Sequence, residues 1–426
     1  MDPERAKNKI DLRIFSSDIL KNILTVSYNS LAIAILTLVF HLIMSRKLGP
    51  GDYGTLVTLL SINSIVLLSL SAVGFVVARF ISYYRTREQY DNMKFLAQWA
   101  FMFFLMLGLA GFLINIILSQ FIADFLNIDH NLIILFGIII WISFLMPIID
   151  GILRGLQEFR YLGRYKLADA MLKLITAAII VYIGFGLKSV IAALILSSII
   201  ILMIISVYIL KRIYITKPHR IKLKEIYKFT VPVFISMICL AALSNIDLVL
   251  VKHFFDEIKT GNFAAAGILA KLVFGIALGS AGVLFPKIVE YYSNGRNDEV
   301  RKNLQDTLKI VITPGIIITL LFVLFPSLIT NLFFGRQYDI DKLLPLYSIA
   351  LFFLSICAIF IIYNLAVKKY AFIPIIVAFS GILTYQIIIA HKSLMSVIWA
   401  LFAVDFILLV FFAFYNKEEL ITFFSS

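Results

Sequence analysis

Three ionisable residues stand inside long apolar stretches of this sequence: Asp247, Lys271 and Asp405. A fourth, Arg79, stands near the end of another. A lysine at the centre of a membrane-spanning helix costs about 2.5–3.5 kcal/mol on insertion scales, so such a residue is kept for a partner or for a task. Lys271 falls about 13 Å from one end of its stretch at 1.5 Å per residue, and Asp247 falls at a similar depth in the stretch before it. One chemistry open to Lys271 and Arg79 is attraction of a phosphate or pyrophosphate in a water-filled cavity, where lysine acts as a point charge. The other is structural: Asp247 and Lys271 pair between neighbouring helices, and Arg79 reaches out to lipid headgroups along its aliphatic stem. Asp405 either carries a coupling ion or proton, or hydrogen-bonds a neighbour.

The elements that must position these residues are membrane helices. The chain of 426 residues is 61% hydrophobic and only 15% charged, with a mean hydropathy of +0.98; soluble domains carry about 25% charged residues. The apolar residues come in runs near the length that crosses about 30 Å of hydrocarbon. They predict about twelve spans, at 23–45, 55–81, 96–119, 131–153, 167–186, 189–210, 229–253, 262–289, 305–326, 343–366, 370–390 and 394–415. The expected fold is an all-α polytopic membrane protein with short connections.

Lysine and arginine orient it. The amino-terminal side receives Arg5, Lys7, Lys9, Arg13 and Lys21, and later the run Lys211, Arg212, Lys217, Arg220, Lys222, Lys224 and Lys228. The opposite side holds only Arg46, Lys47, Lys188, Lys252, Lys259, Arg336, Lys342 and Lys392. Both termini are therefore expected in the cytoplasm and the chain in the cell membrane. The net charge of +13 is then a topology signal with an attraction for anionic lipids, and calls for no nucleic acid.

The sequence also repeats itself. Arg79-Phe80-Ile81-Ser82-Tyr83-Tyr84 pairs with Lys287-Ile288-Val289-Glu290-Tyr291-Tyr292, and Gly51-Asp52-Tyr53-Gly54 with Gly261-Asn262-Phe263-Ala264. Ile122-Ala123-Asp124-Phe125 pairs with Ile329-Thr330-Asn331-Leu332. The displacement is nearly constant and skips an even number of spans, which defines a parallel repeat about an axis along the membrane normal. Two pseudo-symmetric six-helix lobes, 1–222 and 223–426, are expected around a central cavity. No histidines sit at i, i+4, and no Gly-rich phosphate loop or Ser-His-Asp spacing occurs, so no metal, cofactor or catalytic site is expected. A membrane-embedded glycosyltransferase calls for a larger outer loop than the one near Asp124 and Asp129. Other polar residues inside spans are Asn29, His41, Asn63, Asn115, Asn245, Asn364 and Gln386, with Asp150, Arg154 and Asp169 near span ends.

Several of these stretches resemble Wzx-type polysaccharide flippases. Arg46-Lys47-Leu48-Gly49-Pro50-Gly51-Asp52-Tyr53-Gly54 is similar to the "R-x-L-G-P-x-x-Y-G" that follows their first span. Gly151-Ile152-Leu153-Arg154-Gly155-Leu156-Gln157-Glu158-Phe159-Arg160, Asn245-Ile246-Asp247, Phe285-Pro286-Lys287 and Gly335-Arg336-Gln337-Tyr338 resemble further marks of that family. The resemblance implies alternating access between two lobes, carrying a polyprenyl-(pyro)phosphate-linked oligosaccharide from the cytoplasmic to the outer leaflet. It implies a cationic cavity, for which Lys271 and Arg79 are the candidates, with glycan-assembly enzymes as possible partners. The superfamily also contains lipid II flippases, whose first-span arginines are missing here. It contains MATE drug antiporters too, whose amino-terminal carboxylate is missing from spans one to three. An ion-coupled antiporter remains the second expectation, with Asp247 and Asp405 as its coupling residues.

Overall fold

The structure is a computed structural model that describes the backbone over residues 3–213 and 223–421. The side chains at 3–31, 210, 212–213, 223–229, 283, 286 and 421 lie outside the described ones. So do Asn29, the basic amino-terminal tail and most of the lysine-rich stretch before residue 229. Among the described residues there are helices and no strand.

The first helix, α1, runs over Pro3–Thr86, but it is two helices meeting at Gly49, whose φ of 76° and ψ of 173° break the spiral. Glycine takes that conformation without the steric penalty of a Cβ, and the following Pro50 has no N–H to continue the ladder. The arms 3–48 and 50–86 are called α1a and α1b. There follow α2 (Tyr90–Leu126), α3 (His130–Gly155), α4 (Phe159–Tyr182) and α5 (Leu187–Ile213). The second half comprises α6 (Leu223–Phe254), α7 (Glu257–Ser293), α8 (Asn297–Leu324), the short α9 (Pro326–Phe333), α10 (Leu343–Ala366), α11 (Ile373–Ala390), α12 (Leu394–Tyr415) and the terminal α13 (Lys417–Ile421).

Ten of these helices are long and apolar enough to cross a membrane, with α1 counted once. Helix α4 is missing from the ten because Arg160, Arg164, Lys166, Asp169 and Lys173 are spread over its first fifteen residues; it packs between α1 and α5 all the same. Splitting α1 at Gly49 and adding α4 recovers the twelve spans read from the sequence. The connections are short because each turn is locally determined. Asn127 ends α2 in the left-handed conformation, and the Asp129 carboxylate opens α3 by accepting from the N–H groups of Asn131 and Leu132. Asp256 does the same for α7 through Lys259, and a Ser393–Ser396 capping box opens α12.

The packing repeats as the sequence does. In the first half α3 lies against α1, α2 and α5, while α4 lies against α1 and α5. In the second half α10 lies against α7, α8 and α12, while α11 lies against α6 and α12. Left-handed residues recur at matching turns: Glu88 with Gly295, and Gln157 with Lys368. The expected lobe boundary at 222 falls among residues 214–222, outside the described ones. The halves meet along one seam, made by α1 against α6 and α7. Helices α2, α8 and α11 turn apolar side chains outward, among them Ile117, Phe121, Leu324 and Tyr385, as a lipid-facing surface requires.

Candidate functional site

Two ends of the seam differ. The elbow side carries the turns at 49–54, 127–129, 254–257 and 334–342, and the terminal side carries those at 87–89, 156–158, 294–296 and 367–372.

The elbow side is shut. A Cβ on Gly54 would lie 2.7 Å from the Gly261 nitrogen, and one on Gly261 would lie 2.1 Å from the Pro50 carbonyl oxygen. Only glycine lets the two elbows touch backbone to backbone. The Tyr53 ring is fully buried and meets Phe334 and Tyr338 with centroids 6.1 and 6.0 Å away. The Ser45 carbonyl accepts from Tyr338 Oη at 2.9 Å and from Gln337 Nε2 at 3.1 Å. Arg46 donates to the Leu332 carbonyl at 2.6 Å. A little to the side, His253 Nδ1 donates to the Phe125 carbonyl at 2.5 Å and stacks on its ring. Burial raises the proton affinity of the Tyr338 phenol, keeping it a neutral donor in this closure.

Beneath the closure lies a chain of polar side chains crossing the seam. His41 of α1a and Tyr53 of α1b are within hydrogen-bonding distance, 3.2 Å apart. His41 also feels the charge of Lys271 on α7. Lys271 Nζ donates to Asn245 Oδ1 on α6 at 2.9 Å, and Asn245 is held in turn by Ser244 and the Ala241 carbonyl. Two residues on, Asp247 is fully buried and accepts a short hydrogen bond from Tyr347 of α10. Asp405 of α12 is equally buried and lies within electrostatic range of Asp247 and Tyr347. Both oxygens of Asp405 and one of Asp247 have no hydrogen-bond partner.

The sequence-derived candidates therefore divide. Lys271, Asp247 and Asp405 come together with His41 and Asn245, marked in the sequence only as polar residues inside spans, and with Tyr347, which nothing there marked. Asp247 and Lys271 do not form a direct ion pair: similar depth brings them near, but Lys271 turns to Asn245 and Asp247 to Tyr347. Arg79 is elsewhere, exposed at the terminal side in the electrostatic reach of Tyr370 on the α10–α11 turn. Asp150 is a structural hub, accepting from Tyr165 and pairing with Lys166 at 2.5 Å and Arg154 at 3.9 Å; Asp169 pairs with Lys173 at 2.8 Å. Among the described residues no three His, Cys, Asp or Glu side chains gather to hold a metal ion.

From Lys271 toward the terminal side, α7 presents Gly275, Gly279 and Gly282 on the same helical face. No other atom lies within 4 Å of where their Cβ atoms would be. The face ends at Phe285, whose ring meets Phe75 of α1b at 5.3 Å. This face of α7 below Lys271 is thus uncovered by other helices, while the elbow side is sealed. A half-buried cation on this face can bind an anionic group, and two buried, under-satisfied carboxylates can hold a proton or a small cation.

Twelve packed helices in two like halves, with ionisable side chains at the seam, define a multi-pass membrane protein. A family model described as polysaccharide biosynthesis protein matches residues 43–341, and the chain belongs to that family. Its fold is similar to an inward-facing multidrug resistance MATE transporter of the MOP superfamily, with a TM-score of 0.75 at 14% identity over 95% of this chain and 99% of the other. The lipid II flippase MurJ, in an inward closed conformation, aligns with a TM-score of 0.72 at 17% identity over 94% of this chain and 90% of its own. An outward-facing MATE transporter gives 0.68 at 14% identity over 95% and 97%. No curated protein matches the chain in sequence.

Proposed function

We propose that the protein flips a polyprenyl-(pyro)phosphate-linked oligosaccharide from the cytoplasmic to the outer leaflet of the cell membrane, for surface polysaccharide or other glycan synthesis. The observation that carries this reading is Lys271, a cation held at the head of a seam that is sealed on one side and open below. A sugar headgroup crosses hydrocarbon poorly because each unpaired polar group costs several kcal/mol. A polar seam that opens alternately to the two sides removes that barrier while the lipid tail stays in the bilayer. In this reading the elbow side is outer, both termini are cytoplasmic, and the state described faces inward. The higher TM-score against the inward-facing MATE structure than against the outward-facing one supports that orientation of the cavity. Lys271 receives the phosphates, Arg79 draws them to the cytoplasmic mouth, and Asp247 with Asp405 couples movement to an ion. Membrane lipids surround the path, and glycan-assembly enzymes deliver and collect the substrate.

The test is reconstitution in liposomes with a fluorescent polyprenyl-pyrophosphate oligosaccharide, following its exposure to an external glycosidase. Transbilayer movement above that of empty liposomes, lost in Lys271→Ala, is the expected result. Absence of movement in the wild type overturns the reading. The MATE structures favour a second reading, an ion-coupled exporter of organic cations. Export of an organic cation under a proton or sodium gradient, without movement of any lipid-linked glycan, selects it.

A further inference from the structure

A second cation lies on the same seam, and this one is fully buried. Lys252 occupies the last turn of α6, where the helix dipole favours positive charge. Its side chain is 1% exposed, and its ammonium group has no hydrogen-bond partner. The nearest carboxylate, Glu257 at the start of α7, is 3.9 Å away and largely in solvent. Asp52, at the start of α1b in the other half, acts on Lys252 through space. These two acids approach each other across the elbows, since a Cβ on Gly51 would sit 3.2 Å from Glu257 Oε2.

An ammonium group carries three donors. Burying one with none of them used is unfavourable, and a chain retains such a group where another state satisfies it. Lys252 stands seven residues beyond Asn245 on α6, about 10 Å along the helix, and so one step toward the elbow side from the level of Lys271. The closure around it is made by contact between halves. When α1 withdraws from α6 and α7, Asp52 leaves with it, while Glu257 is free to turn into water. What remains is an uncovered lysine facing the opened seam.

We infer that Lys252 is a second phosphate-binding site, covered by the packed elbows while that side is closed and exposed to the substrate's phosphate when it opens. This rests on the flippase reading. Lys271 then holds the phosphate in the closed state and Lys252 receives it on the way out. The ligand chemistry is a phosphate or pyrophosphate monoester, at the end of the path where the lipid-linked product leaves.

The experiment uses the full chain in nanodiscs with inorganic pyrophosphate as probe. Gly261→Leu wedges the elbows apart, because the added side chain has no room against Pro50. The wedged protein is expected to bind pyrophosphate at least tenfold more tightly than wild type, and to lose that gain on addition of Lys252→Gln but keep it with Lys252→Arg. Equal binding with and without Lys252→Gln overturns the site. Should the wedge fail to fold, Gly54→Ala opens the same elbow contact by a smaller step, since its Cβ would lie 2.7 Å from the Gly261 nitrogen, and the same tenfold dependence on Lys252 is required of it. In the liposome assay, Lys252→Gln is expected to slow movement at least tenfold and Lys252→Arg to restore most of it. Wild-type movement with an unaffected Lys252→Gln variant removes the exit site and leaves the flippase reading standing. Lys252-dependent pyrophosphate binding without any wild-type movement removes the flippase reading and leaves an anion site.

Discussion

The two halves share a packing plan but not a chemistry. Lys271 of α7 aligns with Asn63 of α1b, by the register that pairs Arg79 with Lys287. Asn63 accepts from Ser143 of α3 at 2.6 Å. Asp405 of α12 aligns with the adjacent Ser197 and Ser198 of α5, and Ser197 bonds Thr176 of α4 at 2.8 Å. At these matched positions the second half carries ionisable groups, with both Asp405 oxygens unpartnered, and the first half carries neutral pairs bonded to each other. The helix framework occurs twice, and Asp247, Lys271 and Asp405 stand in one copy of it. A framework needs polar groups only to fix helix contacts, and neutral pairs do that in a membrane. Buried charge is far costlier and is retained for work.

The sharpest way to break this comparison is to make the second half resemble the first. Lys271→Asn installs the residue of α1b at the matching place. It is expected to fold, since Asn245 keeps its bonds to Ser244 and the Ala241 carbonyl, and to reduce flipping in liposomes at least tenfold. Retention of wild-type movement would return Lys271 to a structural role. Asp405→Ser is the companion change. It is expected to abolish the dependence of movement on an imposed ion gradient while raising thermal stability, because a buried acid with no partner is removed. Unchanged gradient dependence would exclude Asp405 from coupling.

Next in size is Tyr347→Phe. Asp247 keeps its burial but loses its one side-chain donor, so its carboxylate is left unsatisfied at a cost of about 1–3 kcal/mol. A thermal shift in detergent reads this directly. A stability equal to wild type would mean that the Tyr347–Asp247 contact contributes little.

The frame was legible in the sequence and the partners were not. Span positions follow from apolar run length, the bend in α1 from Gly49-Pro50, and the two-half plan from the repeated Gly51–Gly54 and Arg79–Tyr84 segments. Depth in the membrane was legible too, because it is distance along a helix. Depth alone brought Asp247 and Lys271 together as an expected pair. The missing coordinate was rotation about each helix axis, which α10 and α12 settle by presenting Tyr347 and Asp405 from roughly 100 and 158 positions away. Tyrosine is common in spans, so nothing about Tyr347 marked it. Lys252 was overlooked for the opposite reason. It stood at a span end, where lysine usually reaches water, and only the packing of two elbows over it makes it buried.

In the first half the expected effect is smaller. Ser143→Ala removes one neutral hydrogen bond to Asn63 and is expected to cost about 0.6 kcal/mol, the average for such bonds between membrane helices. Flipping should stay within twofold of wild type. A tenfold loss would place chemistry in both halves and undo the contrast.

The smallest effect concerns how the halves begin their central helices. Helix α3 opens on Asp129, whereas its counterpart α10 opens on Lys342 without any side-chain cap. Asp129 Oδ2 pairs with Lys188 of α5 at 2.9 Å. That hydrogen bond, with those from the Asn131 and Leu132 N–H groups, holds the carboxyl below its ordinary value of 3.8. A carboxyl lowered in the folded state binds fewer protons there than when unfolded, so it stabilises at pH above the unfolded value and the gain vanishes as pH falls through the folded one. Asp129→Asn keeps a competent cap and removes the charge. Its melting temperature should lie slightly below wild type between about pH 5 and 8, with the gap closing below about pH 4. No such pH-dependent gap is expected for substitutions at Lys342, so a gap that persists into acid would show that Asp129 acts through its shape alone and that the two helix starts differ in geometry rather than charge.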